Sequence, residues 1–295
     1  MDATARFAAH VASSHICTLG EGPVWDAARE RLLFVDIPAG AVHEARLDGD
    51  RVEITGSRSF DQTVGAVAVS ADGDLLVAGA RSLIAVTGDD VRRDVGPAVV
   101  PAGARRRLND GACDPAGRFL VGSMALDDAR GQDVLVRLDG DALTVLDDDL
   151  TLSNGLAWSP DGRLLYSTDS IPRVVWVRDY DVATGAVGPR REWLRLTDGT
   201  PDGMCADTEG HLWIAVWGAG QVRRYSPAGE LVGVVEVAAP HTSCAAFVGP
   251  GLDRLLITTA TSELSAAQLS DHPDSGRLFL ADVGVTGLPT TPWAG

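Results

Sequence analysis

Short apolar segments alternate with turn-forming residues along almost the whole chain. In residues 153–170, the apolar segments 155–158 and 164–166 flank a Ser-Pro-Asp-Gly turn, a pattern typical of a β-hairpin. The pattern recurs six times, with turn positions 44, 44, 45, 48 and 41 residues apart. These positions are Asp26, Ser70, Asp114, Ser159, Asp207 and, less clearly, Val248. Such a period predicts a β-propeller of six four-stranded blades.

The two ends of the chain each carry a strand-like segment without a complete hairpin. Residues 3–18 alternate loosely before the first repeat, and the apolar run at 276–283 has no hairpin after it. Pairing the N-terminal strand into the blade built by the C-terminus would close the ring and leave no exposed edge there. We therefore expect an all-β, six-bladed propeller, closed by the N-terminal strand, that forms a single domain over residues 1–295.

One position of the repeat carries unusual residues. It lies five residues before each turn position, where the first strand of the hairpin begins, and it is occupied by Glu21, Gly65, Asn109, Asn154, Asp202 and Ser243. In a propeller the first strand of each blade lines the central channel, so these six ring positions should meet at one mouth of it. Asn and Asp at a strand start can be simple turn formers. Four oxygen-bearing side chains in register nevertheless favour a functional site.

The ring residues suggest a metal site. Glu21, Asn154 and Asp202 would present hard oxygen donors with two negative charges, a set that suits calcium, magnesium or manganese; zinc and iron remain compatible because carboxylates also bind them. Three protein ligands leave positions open for water and substrate, and Asp202 could also act as a general base. Arg107 lies two residues before Asn109, on the same side of the strand, where its guanidinium could hold an oxygen-rich substrate.

Composition narrows the possible partners. The chain has 25 Lys and Arg against 41 Asp and Glu, a formal net charge of -16, which argues against nucleic-acid or anionic-membrane partners. No apolar run approaches the roughly 18 residues of a membrane span, and the first 14 residues do not resemble a signal peptide. A cytoplasmic protein is therefore expected. The four cysteines lack Cys-x-x-Cys spacing, which disfavours a zinc cluster and favours reduced, buried thiols.

Two features disfavour a Ser-His-Asp hydrolase. None of the six histidines falls on a ring position, and the chain contains no Gly-x-Ser-x-Gly motif.

Asp110 is interpreted as a turn residue at a strand entry. The roles of Asp169 and Trp217, at the ends of second strands, are left open, as is the possibility that the polar loop 127–133 is a lid.

Four motifs together resemble the gluconolactonase/regucalcin (senescence marker protein) family. They are Leu-Gly-Glu-Gly-Pro-Val-Trp-Asp at 19–26, Arg-Leu-Asn-Asp-Gly at 107–111, Ser-Asn-Gly-Leu-Ala-Trp-Ser at 153–159 and Pro-Asp-Gly-Met-Cys at 201–205. The resemblance implies a six-bladed propeller that binds one divalent metal in its channel and hydrolyses a sugar lactone. It also implies Glu21, Asn154 and Asp202 as metal ligands, Asp202 as general base, and Arg107 and Asn109 as contacts to substrate hydroxyls.

One departure from the family pattern concerns substrate preference. Some relatives have a Glu shortly after the Gly-x-Met of blade three, whereas Gly122-Ser-Met-Ala-Leu is followed by no acid until Asp127.

The working hypothesis is a lactonase that opens an aldonolactone, such as glucono-, xylono- or arabinonolactone, with one divalent ion that is calcium, manganese, zinc or iron. The alternatives are a metal-dependent phosphotriesterase or aryl esterase on the same scaffold, and a non-catalytic calcium-binding propeller. No oligomeric state is predicted.

Overall fold

The computed structural model describes residues 4–127 and 129–295. Residues 1–3, which include the first residue of the predicted N-terminal segment 3–18, and Asp128 of the loop considered as a lid lie outside the described residues. The described residues form 25 β-strands and one short helix, which confirms the nearly all-β prediction. The helix α1 (Ala266–Asp271) begins at the capping residue Ser265 and was not predicted. Within the described ranges no helix is long and apolar enough to cross a membrane.

The strands follow one another in short hairpins. In chain order they are β1 (Ala5–Ala8), β2 (His10–Val11), β3 (Gly20–Asp26), β4 (Arg31–Asp36), β5 (Ala41–Asp48), β6 (Arg51–Ser59), β7 (Ala66–Val69), β8 (Leu75–Ala78), β9 (Leu83–Val86), β10 (Arg92–Val95), β11 (Arg106–Cys113), β12 (Phe119–Ala125), β13 (Asp133–Asp139), β14 (Ala142–Leu150), β15 (Ser153–Trp158), β16 (Leu164–Asp169), β17 (Val174–Asp179), β18 (Arg191–Arg195), β19 (Thr200–Ala206), β20 (Leu212–Trp217), β21 (Gln221–Tyr225), β22 (Leu231–Glu236), β23 (Thr242–Val248), β24 (Arg254–Thr259) and β25 (Phe279–Asp282).

These strands form six sheets that are the six predicted blades. Blades one to five consist, from the channel outward, of β3–β6, β7–β10, β11–β14, β15–β18 and β19–β22. Blade six consists of β23, β24, β25 and β2. The helix α1 lies in the connection between β24 and β25 of blade six.

The N-terminal segment closes the ring, as predicted, but it does so in two pieces. Strand β2 pairs antiparallel with β25, so that His10 is opposite Leu280. Strand β1 pairs in parallel with β22, so that Ala5 is opposite Gly233, and this adds a fifth strand to blade five. The segment therefore joins the outer edges of blades five and six before it enters blade one.

Buried aspartates fix the hairpin turns that define the repeat. The Asp207 carboxylate is fully buried and accepts hydrogen bonds from the backbone N–H groups of Glu209 (3.0 Å) and His211 (2.9 Å). Its second oxygen is 2.6 Å from a guanidinium nitrogen of Arg224. Asp114 occupies the same place in blade three and is equally buried. An aspartate here ends the first strand and holds the turn in shape.

Apolar side chains pack between neighbouring blades. The described residues contain six large hydrophobic clusters, and each one joins a different pair of adjacent blades around the ring. Phe34, Phe119, Trp213 and Phe279 are among the largest fully buried side chains. Each such side chain contributes about 1.5–3 kcal/mol through burial, so the blades are held to one another mainly by the hydrophobic effect. This packing sets the positions of the innermost strands around the channel.

Candidate metal centre

The innermost strands of five blades contain β-bulges next to the ring position. Their strand pairing shifts register between Glu21 and Val24, Leu108 and Gly111, Asn154 and Leu156, Pro201 and Met204, and Thr242 and Cys244. In blade two, where the ring residue is glycine, β7 and β8 pair without such a shift. A bulge leaves one residue unpaired and redirects a side chain out of the regular alternation. The bulges therefore set the direction of the ring side chains.

Glycines allow these strands to approach one another closely. A Cβ atom on Gly155 would lie 2.4 Å from the carbonyl oxygen of Asp202, and one on Gly203 would lie 2.9 Å from the Cα of Cys244. A Cβ on Gly65, the ring residue of blade two, would lie 2.4 Å from the carbonyl oxygen of Asn109. Because no side chain fits in these spaces, only glycine permits the observed spacing of the inner strands.

Four of the six ring side chains are buried polar groups in the channel. Glu21, Asn109, Asn154 and Asp202 are each between 5 and 7% exposed. Ser243 behaves differently: its hydroxyl donates a hydrogen bond to the carbonyl oxygen of Gly20 at 2.5 Å and so links blade six to blade one. The ring thus offers oxygen donors from blades one, three, four and five.

The carboxylates of the ring influence one another. Burial, followed by the charges of Asp202 and Asp110, raises the pKa of Glu21 well above its usual range. Burial and the charge of Asp110 likewise raise the pKa of Asp202, while the Asn154 amide and the Arg107 charge act in the opposite direction. Three buried acids close enough to repel one another must share protons or bind a cation.

Asp110 belongs to this group of acids, and its interpretation as a turn residue is wrong. It lies within β11, at the bulge, where its carboxylate accepts a hydrogen bond from the N–H of Gly111 at 2.7 Å. Burial raises the pKa of Asp110 to about 6. The residue also lines a cavity of about 520 Å³, to which none of the four buried ring side chains contributes. Sequence register missed it because the bulge places two consecutive residues of one strand, Asn109 and Asp110, at the site.

Arg107 and Asn109 form a buried polar pair beside the acids. The Arg107 guanidinium donates hydrogen bonds to Oδ1 of Asn109 (2.7 Å) and to the carbonyl oxygen of Leu108 (2.9 Å). The Asn109 amide in turn donates to the carbonyl oxygen of Ser153 in blade four at 2.9 Å. Burial lowers the pKa of Arg107 to about 10, although the nearby charges of Glu21 and Asp202 favour its charged form. The structure therefore brings together all five residues that the sequence singled out.

The oxygen donors fit a hard divalent cation. The Asn154 amide donates to the hydroxyl of Ser170 (3.1 Å), which donates to the carbonyl oxygen of Pro201 (2.7 Å) and so fixes the orientation of the amide. Oδ1 of Asn154 and Oδ1 of Asp202 are buried, and neither has a hydrogen-bond partner among residues 4–127 and 129–295. A buried oxygen without a partner costs about 1–3 kcal/mol, which a bound cation would offset.

Asp169 has a structural role outside the ring. It pairs opposite Ser153 and accepts hydrogen bonds from the N–H groups of Thr151 (3.2 Å) and Leu152 (3.0 Å), which fastens the segment that enters blade four. Trp217 stacks on His241, with ring centroids 4.0 Å apart and an interplanar angle of 14°. Neither side chain is part of the buried acid group.

Comparison with known proteins gives matches over nearly the whole chain. Residues 19–261, which include all six ring positions, match the model of the SMP-30/gluconolactonase/LRE-like region. The chain is 35% identical to regucalcin from Sus scrofa over 291 residues, which is 95% of this chain and 96% of the pig protein. It is also 35% identical to a pentonolactonase from Haloferax volcanii over 283 residues, 92% and 94% of the two chains. The solved structure of a calcium-binding protein, regucalcin, from Agrobacterium tumefaciens has a TM-score of 0.90, 26% identity and complete coverage of both chains.

Proposed function

The chain belongs to the SMP-30/gluconolactonase/LRE-like family, and from this premise we propose that it hydrolyses a sugar lactone with the help of one divalent cation. The observation that carries the proposal is the convergence of Glu21, Asn154 and Asp202 from three blades, with two buried oxygens that lack hydrogen-bond partners among the described residues. The similarity to a pentonolactonase supports the reaction, and the similarity to a calcium-binding regucalcin supports the cation.

In this proposal Glu21, Asn154 and Asp202 hold the cation. When bound, the cation would act as a Lewis acid and polarise the lactone carbonyl. We propose that Asp202 also accepts a proton from the attacking water, since a carboxylate that binds a cation through one oxygen keeps its other oxygen available as a base. Water adds to the carbonyl carbon, the bond to the ring oxygen breaks, and the proton held by Asp202 passes to that oxygen as it becomes a hydroxyl.

Arg107 and Asn109 are proposed to bind the hydroxyl groups of the sugar. They present a charged fork and an amide, held together by a 2.7 Å hydrogen bond, next to the proposed cation site. Such a pair favours a substrate with several hydroxyls over an apolar ester. We therefore propose an aldonolactone as substrate, with the five-carbon xylono- and arabinonolactone tested beside gluconolactone because one relative is a pentonolactonase.

The test is acid release from these lactones, followed by pH-stat titration. Chelator-treated protein is resupplied in turn with Ca²⁺, Mn²⁺, Zn²⁺ or Fe²⁺. The expected result is acid release that requires a metal and exceeds the spontaneous rate. The absence of any release above the spontaneous rate, with every lactone and every metal, would contradict the proposal.

A pair of variants tests the role of Asp202. Asp202→Asn should abolish turnover while the protein remains folded, because an amide cannot accept the proton. Asp72→Asn is the matched control, since Asp72 is exposed in a turn of blade two and should leave the rate unchanged. Near-native turnover by Asp202→Asn would exclude Asp202 as the base.

The same assay separates the alternative functions. An aryl ester and a phosphotriester in the substrate panel would identify a different hydrolase that uses the same centre. Calcium binding measured by calorimetry, without turnover of any substrate, would identify a calcium-binding propeller, the alternative that the similarity to a calcium-binding regucalcin favours.

A further inference from the structure

A second group of metal-ligating side chains lies away from the ring. It consists of His15, Cys17 and His43, and one potential ligand atom from each lies within 4.8 Å of the others. The two imidazole rings are in contact, with centroids 4.5 Å apart in an edge-to-face arrangement. His43 lies on β5, the third strand of blade one, while His15 and Cys17 lie on the segment that connects β2 to β3.

The imidazoles have unused binding capacity. Nε2 of His15 and Nδ1 of His43 are buried, and neither finds a hydrogen-bond partner in the described part of the chain. His43 is 7% exposed and Cys17 only 1%. Buried polar nitrogens in proteins are nearly always hydrogen-bonded or bound to a metal, because leaving them unpaired is unfavourable. Two such nitrogens beside a thiol therefore indicate a ligand.

The donor set differs from that of the ring. Imidazole nitrogen and thiolate sulfur are the usual ligands of zinc and related transition metals, whereas calcium and magnesium prefer oxygen. In a tetrahedral zinc site with the usual bond lengths, neighbouring nitrogen and sulfur ligands lie about 3.3–3.6 Å apart. The three side chains would have to move together by about 1 Å, which small side-chain rotations permit. The fourth position would be taken by water.

The negative charge of Asp36 suits such an ion, and the ion must displace one thiol proton. Burial lowers the pKa of His43, which keeps its imidazole neutral and able to coordinate a metal. Burial, and then the charge of Asp36, raises the pKa of Cys17, so the metal must displace the thiol proton as it binds. Asp36 lies close to both groups and is held by hydrogen bonds from the N–H groups of Thr18 (2.9 Å) and Leu19 (3.1 Å). Its negative charge would balance the single net positive charge of a divalent ion bound to one thiolate.

We propose that His15, Cys17 and His43 bind one Zn²⁺ ion, which fastens the N-terminal segment to blade one. The thiol proton of Cys17 is released to solvent as the zinc–sulfur bond forms. The N–H of Cys17 donates a hydrogen bond to the carbonyl oxygen of Gly276 in blade six at 2.8 Å, so the ion lies where the ring closes between blades six and one. His43 is two strands outward from β3, about 10 Å at the usual strand spacing, and the site is distinct from the ring.

Cobalt(II) is a suitable probe, because a thiolate bound to Co²⁺ gives a charge-transfer absorption that oxygen ligands do not give. The metal-free protein is titrated with Co²⁺ alone. Wild type should bind one Co²⁺ with this absorption per chain, and Cys17→Ser should lose it. His43→Gln should weaken this binding at least tenfold. Cys113→Ser and the exposed His272→Gln are the matched controls and should behave like wild type.

A stability measurement provides a second test that does not depend on the ring. In a Glu21→Gln background, which weakens the ring site, Zn²⁺ should raise the midpoint of thermal unfolding. Zn²⁺ should have no effect on the unfolding midpoint of the double variant that combines His43→Gln with Glu21→Gln. The comparison of this double variant with Glu21→Gln still tests the proposal if Cys17→Ser does not fold. The proposal is overturned if no thiolate absorption appears up to millimolar Co²⁺, or if this absorption persists in Cys17→Ser. It is also overturned if Zn²⁺ raises the unfolding midpoint of Glu21→Gln and of the double variant by the same amount.

Discussion

Replacing Gly155 by alanine should disturb the candidate metal centre without touching any of its side chains. The new Cβ would lie 2.4 Å from the carbonyl oxygen of Asp202, about 1 Å closer than an ordinary contact. Oγ1 of Thr168 (3.0 Å) and Cγ of Met204 (3.1 Å) would also lie closer to the new Cβ than an ordinary contact. Strands β15 and β19 must therefore separate, and these strands carry Asn154 and Asp202.

The size of the effect follows from this displacement. Overpacking of this kind lowers the free energy of unfolding by about 1–3 kcal/mol. Because alanine leaves the unfolded chain less conformational freedom than glycine, the substitution also raises the free energy of unfolding by about 0.4–1 kcal/mol. We therefore expect a net destabilisation of about 1–2 kcal/mol. A shift of about 1 Å between catalytic groups lowers turnover by about 100-fold. The affinity for Ca²⁺ should fall as well, because the two ligands no longer converge.

Three measurements on Gly155→Ala check this expectation: urea unfolding followed by tryptophan fluorescence, Ca²⁺ binding by calorimetry, and lactone hydrolysis. Gly56→Ala is the matched control. Gly56 lies on β6, and the nearest contact of its new Cβ would be the Cβ of Glu44 at 3.9 Å, so stability should change by less than about 0.5 kcal/mol. If folded Gly155→Ala kept its Ca²⁺ affinity and turnover within twofold of wild type, close strand approach would not be what positions the centre.

Three further predictions concern charge. In metal-free protein the pKa of Asp110, about 6, exceeds the unfolded value of about 3.9, so the folded state binds the extra proton between these pH values. The free energy of unfolding of wild type should therefore fall relative to that of Asp110→Asn by about 2 kcal/mol as the pH rises from about 4 to 7, and urea unfolding with chelator would contradict this if the difference stayed constant. Arg107→Met should raise KM for an aldonolactone at least tenfold while Ca²⁺ binding is retained, and an unchanged KM would remove Arg107 from the substrate site. Asp207→Asn should lower the free energy of unfolding by about 2–3 kcal/mol, because it removes the charge of a fully buried carboxylate that accepts hydrogen bonds from Arg224, and it should leave turnover per folded molecule unchanged; a loss below 1 kcal/mol would show that the turn does not depend on the carboxylate.

The sequence by itself determined the number of blades and the ring. The hairpin pattern returns with a nearly constant period, and a propeller places equivalent positions of each repeat at equivalent places around one axis. The spacing alone was therefore enough to align Glu21, Asn109, Asn154 and Asp202, and the structure buries all four in the channel. Arg107 and Asn109 were expected on the same side of their strand because side chains alternate along a strand. In the structure the two side chains are hydrogen-bonded.

The tertiary structure decided everything that departs from this regular repeat. The bulges change the alternation locally, and for this reason Asp110 joins the buried acids although its position predicted a turn. The N-terminal segment divides between two blades because two outer strands, β22 and β25, are available to pair with it. His15, Cys17 and His43 meet because the closed ring brings the start of the chain against blade one, and no local spacing in the sequence reports a contact that depends on how distant strands pack.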